Sequence, residues 1–101
     1  MYFDEKTLLD ADINSLITFL VVHREGGVSR AAVCLGVKQP AVSNTLARLR
    51  ERFNDELFYR KGVWCATEKA DQLVEVLSPG FKRLQDVLQE MEKSGYAARR
   101  T

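Results

Sequence analysis

The chain has 101 residues, 46% of them hydrophobic, with 15 Lys and Arg against 14 Asp and Glu, so its net charge is +1. This length fits one small domain with or without an extension and excludes two independent cores, while the apolar fraction argues against disorder. No stretch approaches the ~20 apolar residues of a membrane span, and the acidic start is unlike a signal peptide, so we expect a cytoplasmic protein without a membrane partner.

The first part of the chain predicts a short leader followed by a helix. Residues 1–11 are expected to be frayed or loosely docked. The helix is expected to begin after Asp12, whose carboxylate can cap free backbone N–H groups, and to end at a glycine after Glu25. Its broad apolar face is formed by Ile13, Leu16, Ile17, Phe19 and Leu20.

Residues 29–49 predict two helices joined by a tight turn. Ser29 is a suitable N-cap for a helix over residues 30–35, and Gly36 stands where a helix commonly ends in a left-handed residue. The apolar positions of the second helix recur at helical spacing and are expected to face a core: Val42, Leu46, Leu49 and Phe53. The opposite face is small or hydrogen-bonding, as a helix in a DNA major groove requires, and carries Pro40, Ser43, Asn44, Ala47 and Arg48.

A hairpin and a long helix are predicted next. The strands are residues 57–60 and 63–66, with a turn at Lys61-Gly62. Because an isolated hairpin is marginal in water, it should pack on the helices through Leu57 and Phe58. Thr67 is an acceptable N-cap for the long helix, and Pro79 is expected to kink that helix rather than end it.

Positive charge is concentrated in the predicted helix-turn-helix segment. Residues 24–61 carry eight Lys and Arg against four acids, a balance of +4, whereas residues 1–23 balance at −3. Phosphate binding would require such a distribution, although a charged face that is only solvated remains the alternative.

The chemistry of an enzyme or a metal site is not predicted. His23 stands alone at a helix end, and Ser43 has no acid or base at a recognisable spacing. Cys34 is expected to be a buried free thiol and Cys65 to be more exposed, so with His23 the chain offers three scattered ligands where zinc needs about four. We therefore expect no cofactor and no metal.

Four segments in order, DINSLITFLVV, SRAA, LGVKQPAVSNTLARLRERFNDELFYR and TEKA, resemble the N-terminal domain of LysR-type transcriptional regulators. The resemblance implies a mainly α fold: a winged helix-turn-helix of three helices plus a two-stranded wing over residues 12–66, then a long linker or dimerisation helix over residues 67–92. Residues 93–101 would be a tail or the start of a linker. In this family the linker helix pairs antiparallel with its twin and sets two recognition helices on a palindromic site.

The resulting prediction is a sequence-specific, nucleoid-associated regulator that binds double-stranded DNA as a homodimer, with a recognition helix at about residues 39–53. The family assigns base contacts to the start of that helix, and nearby polar or basic residues would bind the backbone. The expected DNA-binding residues are Ser29, Arg30, Lys38, Gln39, Pro40, Ser43, Asn44, Thr45, Arg48, Arg50, Arg60 and Lys61. The expected dimer interface is formed by Leu73, Leu77, Phe81, Leu84, Leu88 and Met91. A full-length protein with a C-terminal domain would also bind a small-molecule effector and form tetramers.

The chain departs from the family pattern at two places. Lys38 replaces a common Ser or Thr, losing an N-cap worth about 1 kcal/mol but gaining reach to a phosphate. The wing is short, and Lys61 is its only basic residue after Arg60, which weakens the case for minor-groove reading and favours packing of Trp64 against the helices. The depleted wing and the low net charge support one alternative: a protein-interaction module with a vestigial DNA-binding face that modulates another regulator.

Overall fold

The computed structural model describes residues 2–93, which are mainly helical with one two-stranded sheet. The elements are α1 (Glu5–Ala11), α2 (Ile13–Glu25), α3 (Val28–Leu35), α4 (Gln39–Phe53), β1 (Phe58–Lys61), β2 (Val63–Ala66) and α5 (Glu68–Lys93). This order confirms the predicted winged helix-turn-helix followed by a long helix. The chain divides into two compact units, residues 1–71 and 72–101. Of the predicted tail, residues 94–101 lie outside the described residues. Within the described range no helix is both long and apolar enough to cross a membrane.

Residues 5–11 of the predicted leader form a helix, α1, so this part of the leader is not frayed. This helix buries no side chain, but the Arg52 guanidinium of α4 donates a 2.6 Å hydrogen bond to the Asp10 carbonyl and ties the two helices together. Asp12, with φ at 57°, then turns the chain from α1 into α2. Its carboxylate caps no backbone N–H, contrary to expectation; it accepts a 2.6 Å bond from the Ser15 hydroxyl, which lowers the pKa of Asp12.

The buried face of α2 consists partly of other residues than the predicted one. Leu16 and Phe19 are buried as expected, but Ile13 and Ile17 are more than one-third exposed. Val22 replaces them, because residues 16, 19 and 22 recur at the helical spacing that faces α3 and α4. Gly26, with φ at 75°, ends the helix in the left-handed conformation as predicted.

Helix α3 begins before the predicted N-cap. Its N-cap is Gly27 rather than Ser29, since the Ala31 N–H already donates to the Gly27 carbonyl at 3.3 Å. The predicted left-handed end of the helix is confirmed. Gly36 has φ at 68°, and the Val37 N–H donates a 3.0 Å hydrogen bond to the Ala32 carbonyl. The turn thus sets the angle at which α4 leaves α3.

One hydrophobic core lies within the first unit. Helix α4 contributes a stripe at residues 42, 46 and 49, as predicted, while its last apolar residue, Phe53, is half-buried. The buried apolar side chains come from α2, α3, α4, the wing and the start of α5: Leu16, Phe19, Val21, Val22, Ala31, Ala32, Val42, Leu46, Leu49, Leu57, Phe58 and Ala70.

The wing is an antiparallel hairpin displaced by one residue from its predicted first strand. Strand β1 begins at Phe58, because Leu57 has φ at 65° and a left-handed residue cannot continue a β ladder. The register pairs Phe58 with Ala66 and Lys61 with Val63 around Gly62. Leu57 and Phe58 are 0% and 2% exposed, which confirms both as the anchors of the hairpin.

A carboxylate joins the end of α4 to both the wing and α5. Asp55 Oδ2 accepts hydrogen bonds from the Thr67 hydroxyl at 2.6 Å and the Leu57 N–H at 2.8 Å. The Thr67 hydroxyl oxygen in turn accepts the Ala70 N–H at 3.1 Å, which confirms Thr67 as the N-cap of α5. The Thr67 hydroxyl and the Leu57 N–H both lower the pKa of Asp55.

The Asp55 carboxylate should make the stability of the protein depend on acid pH. A lowered folded pKa adds stability above the ordinary aspartate pKa of about 3.9, and that stability is lost as pH falls through the folded value. The Asp55→Asn variant should therefore be less stable than wild type at neutral pH, and the difference should shrink as the pH falls below about 3.9. Urea denaturation across this pH range measures the difference in stability. Asp86→Asn is the control, because among residues 2–93 the exposed Asp86 carboxylate accepts a hydrogen bond from Lys82 alone. A pH-independent difference would contradict the assignment.

The second unit, described over residues 72–93, is the remainder of α5. The helix runs through Pro79 without a break, so the prediction that it continues past this residue is confirmed. The residues of the predicted dimer interface are half-buried at Leu73, Leu77 and Phe81, and exposed at Leu84, Leu88 and Met91.

Candidate nucleic-acid interface

Helix α4 has one buried face and one exposed face. Its apolar stripe lies in the core, so the other face is turned outward by the helical period. The exposed face begins at the first residue of the helix and contains Gln39, Pro40, Ser43, Asn44, Ala47 and Arg48. The structure therefore brings together the side chains that the sequence assigned to base contacts.

The hydrogen-bonding groups on this face are available to a ligand. Gln39, Ser43 and Asn44 make no side-chain hydrogen bond within residues 2–93. An amide carries both donors and an acceptor, so Gln39 and Asn44 can pair bidentately with adenine, and the hydroxyl of Ser43 can donate or accept. Lys38, the N-cap of α4, provides no side-chain cap, as predicted, and its exposed ammonium makes no ion pair in the same described range.

The arginines of α4 differ in what they already bind. Arg48 is exposed and donates a weak 3.3 Å bond to the hydroxyl of Thr45, which is half-buried one turn earlier. Arg50 donates to the Glu56 carbonyl at 2.8 Å and so secures the loop between α4 and the wing. Since Arg52 is likewise bound to the Asp10 carbonyl, Arg48 is the α4 arginine with the most freedom to reach a phosphate.

At the α3 end of the interface, the positive charge of the arginines is partly neutralised by a glutamate. Ser29 and Arg30 are both exposed, but the Arg30 Nε lies 3.8 Å from Glu25. Arg24 binds the same carboxylate at 2.8 Å and is the main reason that the pKa of Glu25 is lowered. Sequence reasoning missed this cluster, although the adjacent Arg24-Glu25 pair was a visible signal.

The wing places its two cations next to the turn. Arg60 and Lys61 are exposed, and neither side chain has a hydrogen bond or ion pair within the described residues. The Arg60 guanidinium carbon lies 5.9 Å from the centroid of the Trp64 ring, a cation–π contact. Trp64 packs, but within the wing rather than against the helices as predicted: its ring stacks on that of Phe58, with 5.4 Å between ring centroids.

Two predictions about reactive side chains are wrong. His23 does not stand alone, because its Nε2 lies 2.8 Å from Asp71 Oδ1 at the start of α5. Cys34 is exposed rather than buried, since α3 turns Ala31 and Ala32 into the core and leaves residues 33 and 34 outside. Among residues 2–93 no three His, Cys, Asp or Glu side chains are grouped so that they could hold a metal ion.

Comparison with known proteins identifies relatives of this chain. Residues 13–71 match the family of bacterial regulatory helix-turn-helix proteins described as lysR. The chain is 55% identical over 51 residues to the HTH-type transcriptional regulator LeuO of Escherichia coli, covering 50% of this chain and 16% of LeuO. It is 38% identical over 86 residues to the HTH-type transcriptional activator NahR of Pseudomonas putida, covering 84% of this chain and 29% of NahR. The chain thus spans less than a third of these curated relatives.

A similar fold is found in solved structures. A probable transcriptional regulator from Pseudomonas aeruginosa superposes with a TM-score of 0.75 at 33% identity, covering 82% of this chain and 28% of that one. A LysR-family transcriptional regulator from Eggerthella lenta has a TM-score of 0.60 at 37% identity, covering 63% of this chain and 93% of that one. The α1 helix precedes the segment matched by the family.

Proposed function

This chain belongs to the LysR family of bacterial regulatory helix-turn-helix proteins, and we propose that it binds duplex DNA sequence-specifically as a transcriptional regulator at the nucleoid. The observation that carries the proposal is the division of α4. Its apolar stripe is buried, while Gln39, Ser43 and Asn44 are exposed with unpaired hydrogen-bonding groups among the described residues. A helix held in this way can enter a major groove with its first turns against base edges.

Four exposed cations have a different role from the base-reading side chains in the proposed interface. Lys38, Arg48, Arg60 and Lys61 form no ion pair within the described residues, so we assign them to phosphates. Ser29, Arg30 and Thr45 would add backbone contacts, whereas Arg50 would act by securing the loop that precedes the wing. Pro40 would contact a thymine methyl, which needs no hydrogen bond.

We further propose that two copies pair through α5 and present two recognition helices to a palindromic site. Leu73, Leu77 and Phe81 begin a heptad-like seam that continues with Leu84, Leu88 and Met91, and its second half is exposed. Relatives are several times longer than this chain, so effector binding and tetramer formation would belong to a full-length protein that has a further domain.

The proposed function is tested by selecting duplexes from a randomised pool with the purified chain. We expect an enriched palindrome. Gln39→Ala or Asn44→Ala should cost about 1–3 kcal/mol at one base position and relax the preference there. Arg48→Ala should instead weaken all sequences alike and lower the slope of log affinity against log salt by about 1.

Gln85→Ala is the matched control for Gln39→Ala, because Gln85 is an exposed glutamine on α5. It should leave the preference unchanged. If the selection enriches no sequence, the proposal of sequence-specific binding is wrong. If the chain binds no duplex even at low salt, the protein-interaction module is favoured.

A further inference from the structure

We propose that Trp64 is a positioning residue, which holds the Arg60 guanidinium against its indole face so that Arg60 binds a backbone phosphate of the duplex. The inference rests on the proposed DNA-binding function. It gives the short wing a defined contact in place of the basic loop that the sequence lacks.

The register of the hairpin creates the pair. Arg60 and Trp64 are directly opposite each other on β1 and β2, so their side chains project from the same face of the sheet. Phe58 shares that face, since it lies two residues from Arg60 on the same strand. Phe58 is buried, and its ring is stacked on Trp64. The core therefore supports Trp64, and Trp64 supports Arg60.

The contact with Trp64 leaves the N–H donors of Arg60 without a protein acceptor. These donors lie along the edge of the guanidinium in a fork that matches phosphate oxygens. Within residues 2–93 the Arg60 guanidinium has no carboxylate or carbonyl acceptor. Holding the long side chain in one place also reduces the entropy that it would lose on binding.

The indole contributes its π face rather than its N–H group. Trp64 Nε1 is buried and has no hydrogen-bond partner among the described residues. An unpaired buried donor is unfavourable, and a phenylalanine ring could stack on Phe58 without it. What an indole adds over a phenyl ring is the most favourable aromatic face for a cation. We therefore infer that the role of the indole ring is to position the Arg60 guanidinium.

A phosphate is the ligand that suits this position. Arg60 stands one residue before Lys61 and two before the Gly62 turn, so both cations are near the end of the hairpin, on opposite faces of the sheet. An arginine that reads the minor groove must extend between the strands, whereas Arg60 is drawn back over its own sheet by Trp64. Its expected contribution is independent of base sequence.

The experiment is a double-mutant cycle on binding to the selected duplex and to an unrelated duplex of the same length. Trp64→Leu should weaken both by about two- to fivefold, and Trp64→Phe should weaken them less. Tyr59→Leu is the matched control, because Tyr59 is the neighbouring aromatic residue on the other face of β1. Each variant is titrated at a temperature at which circular dichroism shows that it is folded.

The cycle separates positioning from a structural role. Arg60→Ala should lower the salt slope by about 1, and Trp64→Leu should have no further effect in that background. Trp64 is the single tryptophan of the chain, so its fluorescence reports on the wing directly. Its emission should change when wild type binds the duplex and should not change in Arg60→Ala.

Three results would overturn the assignment while leaving the proposed function intact. They are additive effects of Arg60→Ala and Trp64→Leu on duplex affinity, an equal loss of affinity in Tyr59→Leu, or tryptophan emission that does not change when wild type binds DNA. An Arg60→Ala variant that alters the preference for A·T pairs would replace the phosphate contact with groove reading. A wild-type chain that binds neither duplex overturns both the assignment and the proposed function.

Discussion

Replacing Phe58 with alanine is expected to lower the free energy of unfolding by about 3–5 kcal/mol, the usual loss for a buried phenylalanine. Phe58 is 2% exposed, and its ring centroid lies 5.4 Å from those of Phe19 and Trp64 and 6.3 Å from that of His23. The substitution would therefore remove contacts with α2 and within the wing at once. Small domains have about 5–15 kcal/mol of stability in total, so the variant should be close to unfolding at room temperature.

Phe3→Ala is the matched control, because it makes the same chemical change at a residue that is 55% exposed. It should change the free energy of unfolding by no more than about 0.5 kcal/mol. Urea denaturation followed by circular dichroism measures both variants. A loss below about 1 kcal/mol for Phe58→Ala would show that the wing is not anchored on α2 through this ring.

The recognition helix could be predicted from sequence because its signals are local. The glycine at position 36 and the apolar period at residues 42, 46 and 49 follow from backbone preferences and helix geometry alone. The same reasoning placed the start of α3 two residues late. Gly27 is a weaker N-cap than Ser29 by side-chain chemistry, but the backbone hydrogen bond from Ala31 decides where the helix begins.

The wing shows why the candidate site could be predicted only in part. A turn over Lys61 and Gly62 would pair Arg60 with Val63, whereas the observed turn at Gly62 pairs Arg60 with Trp64. A shift of one residue moves every side chain to the other face of a hairpin. The shift depends on Leu57, whose left-handed conformation is held by Asp55 and Thr67. Such contacts join distant positions, and no sequence period reveals them.

Side chains that link separate helices were missed for the same reason. His23 and Asp71 are 48 positions apart, and Arg52 reaches back 42 positions to the Asp10 carbonyl. Each residue taken alone resembles an ordinary solvated charge. Cys34 was misplaced for a different reason: its apolar neighbours suggested burial, but a short helix with two buried alanines exposes its other faces.

Two glutamates in the exposed seam of α5 are expected to dissociate the proposed dimer. Leu84 and Leu88 are 50% and 54% exposed, so Leu84→Glu together with Leu88→Glu should leave the helix folded. In a dimer these positions would be buried, where two unpaired carboxylates are strongly unfavourable. Affinity for a duplex with two half-sites should fall by about 10²–10⁴-fold. In the dimer the second recognition helix binds intramolecularly once the first is bound, and separate monomers lose this advantage. Affinity for a single half-site should not change.

Gln85→Glu with Gln89→Glu is the matched control, since it adds the same charges at the same spacing on neighbouring faces of the helix. Residues 85 and 89 are exposed, and each is about 100° around the helix from its seam neighbour. Analytical ultracentrifugation should find the control dimeric and the seam variant monomeric. If the seam variant still sediments as a dimer and binds the palindrome at full affinity, the two recognition helices must be joined by another surface. The exposed apolar residues of α1, which precedes the segment matched by the family, would then be the next surface to substitute.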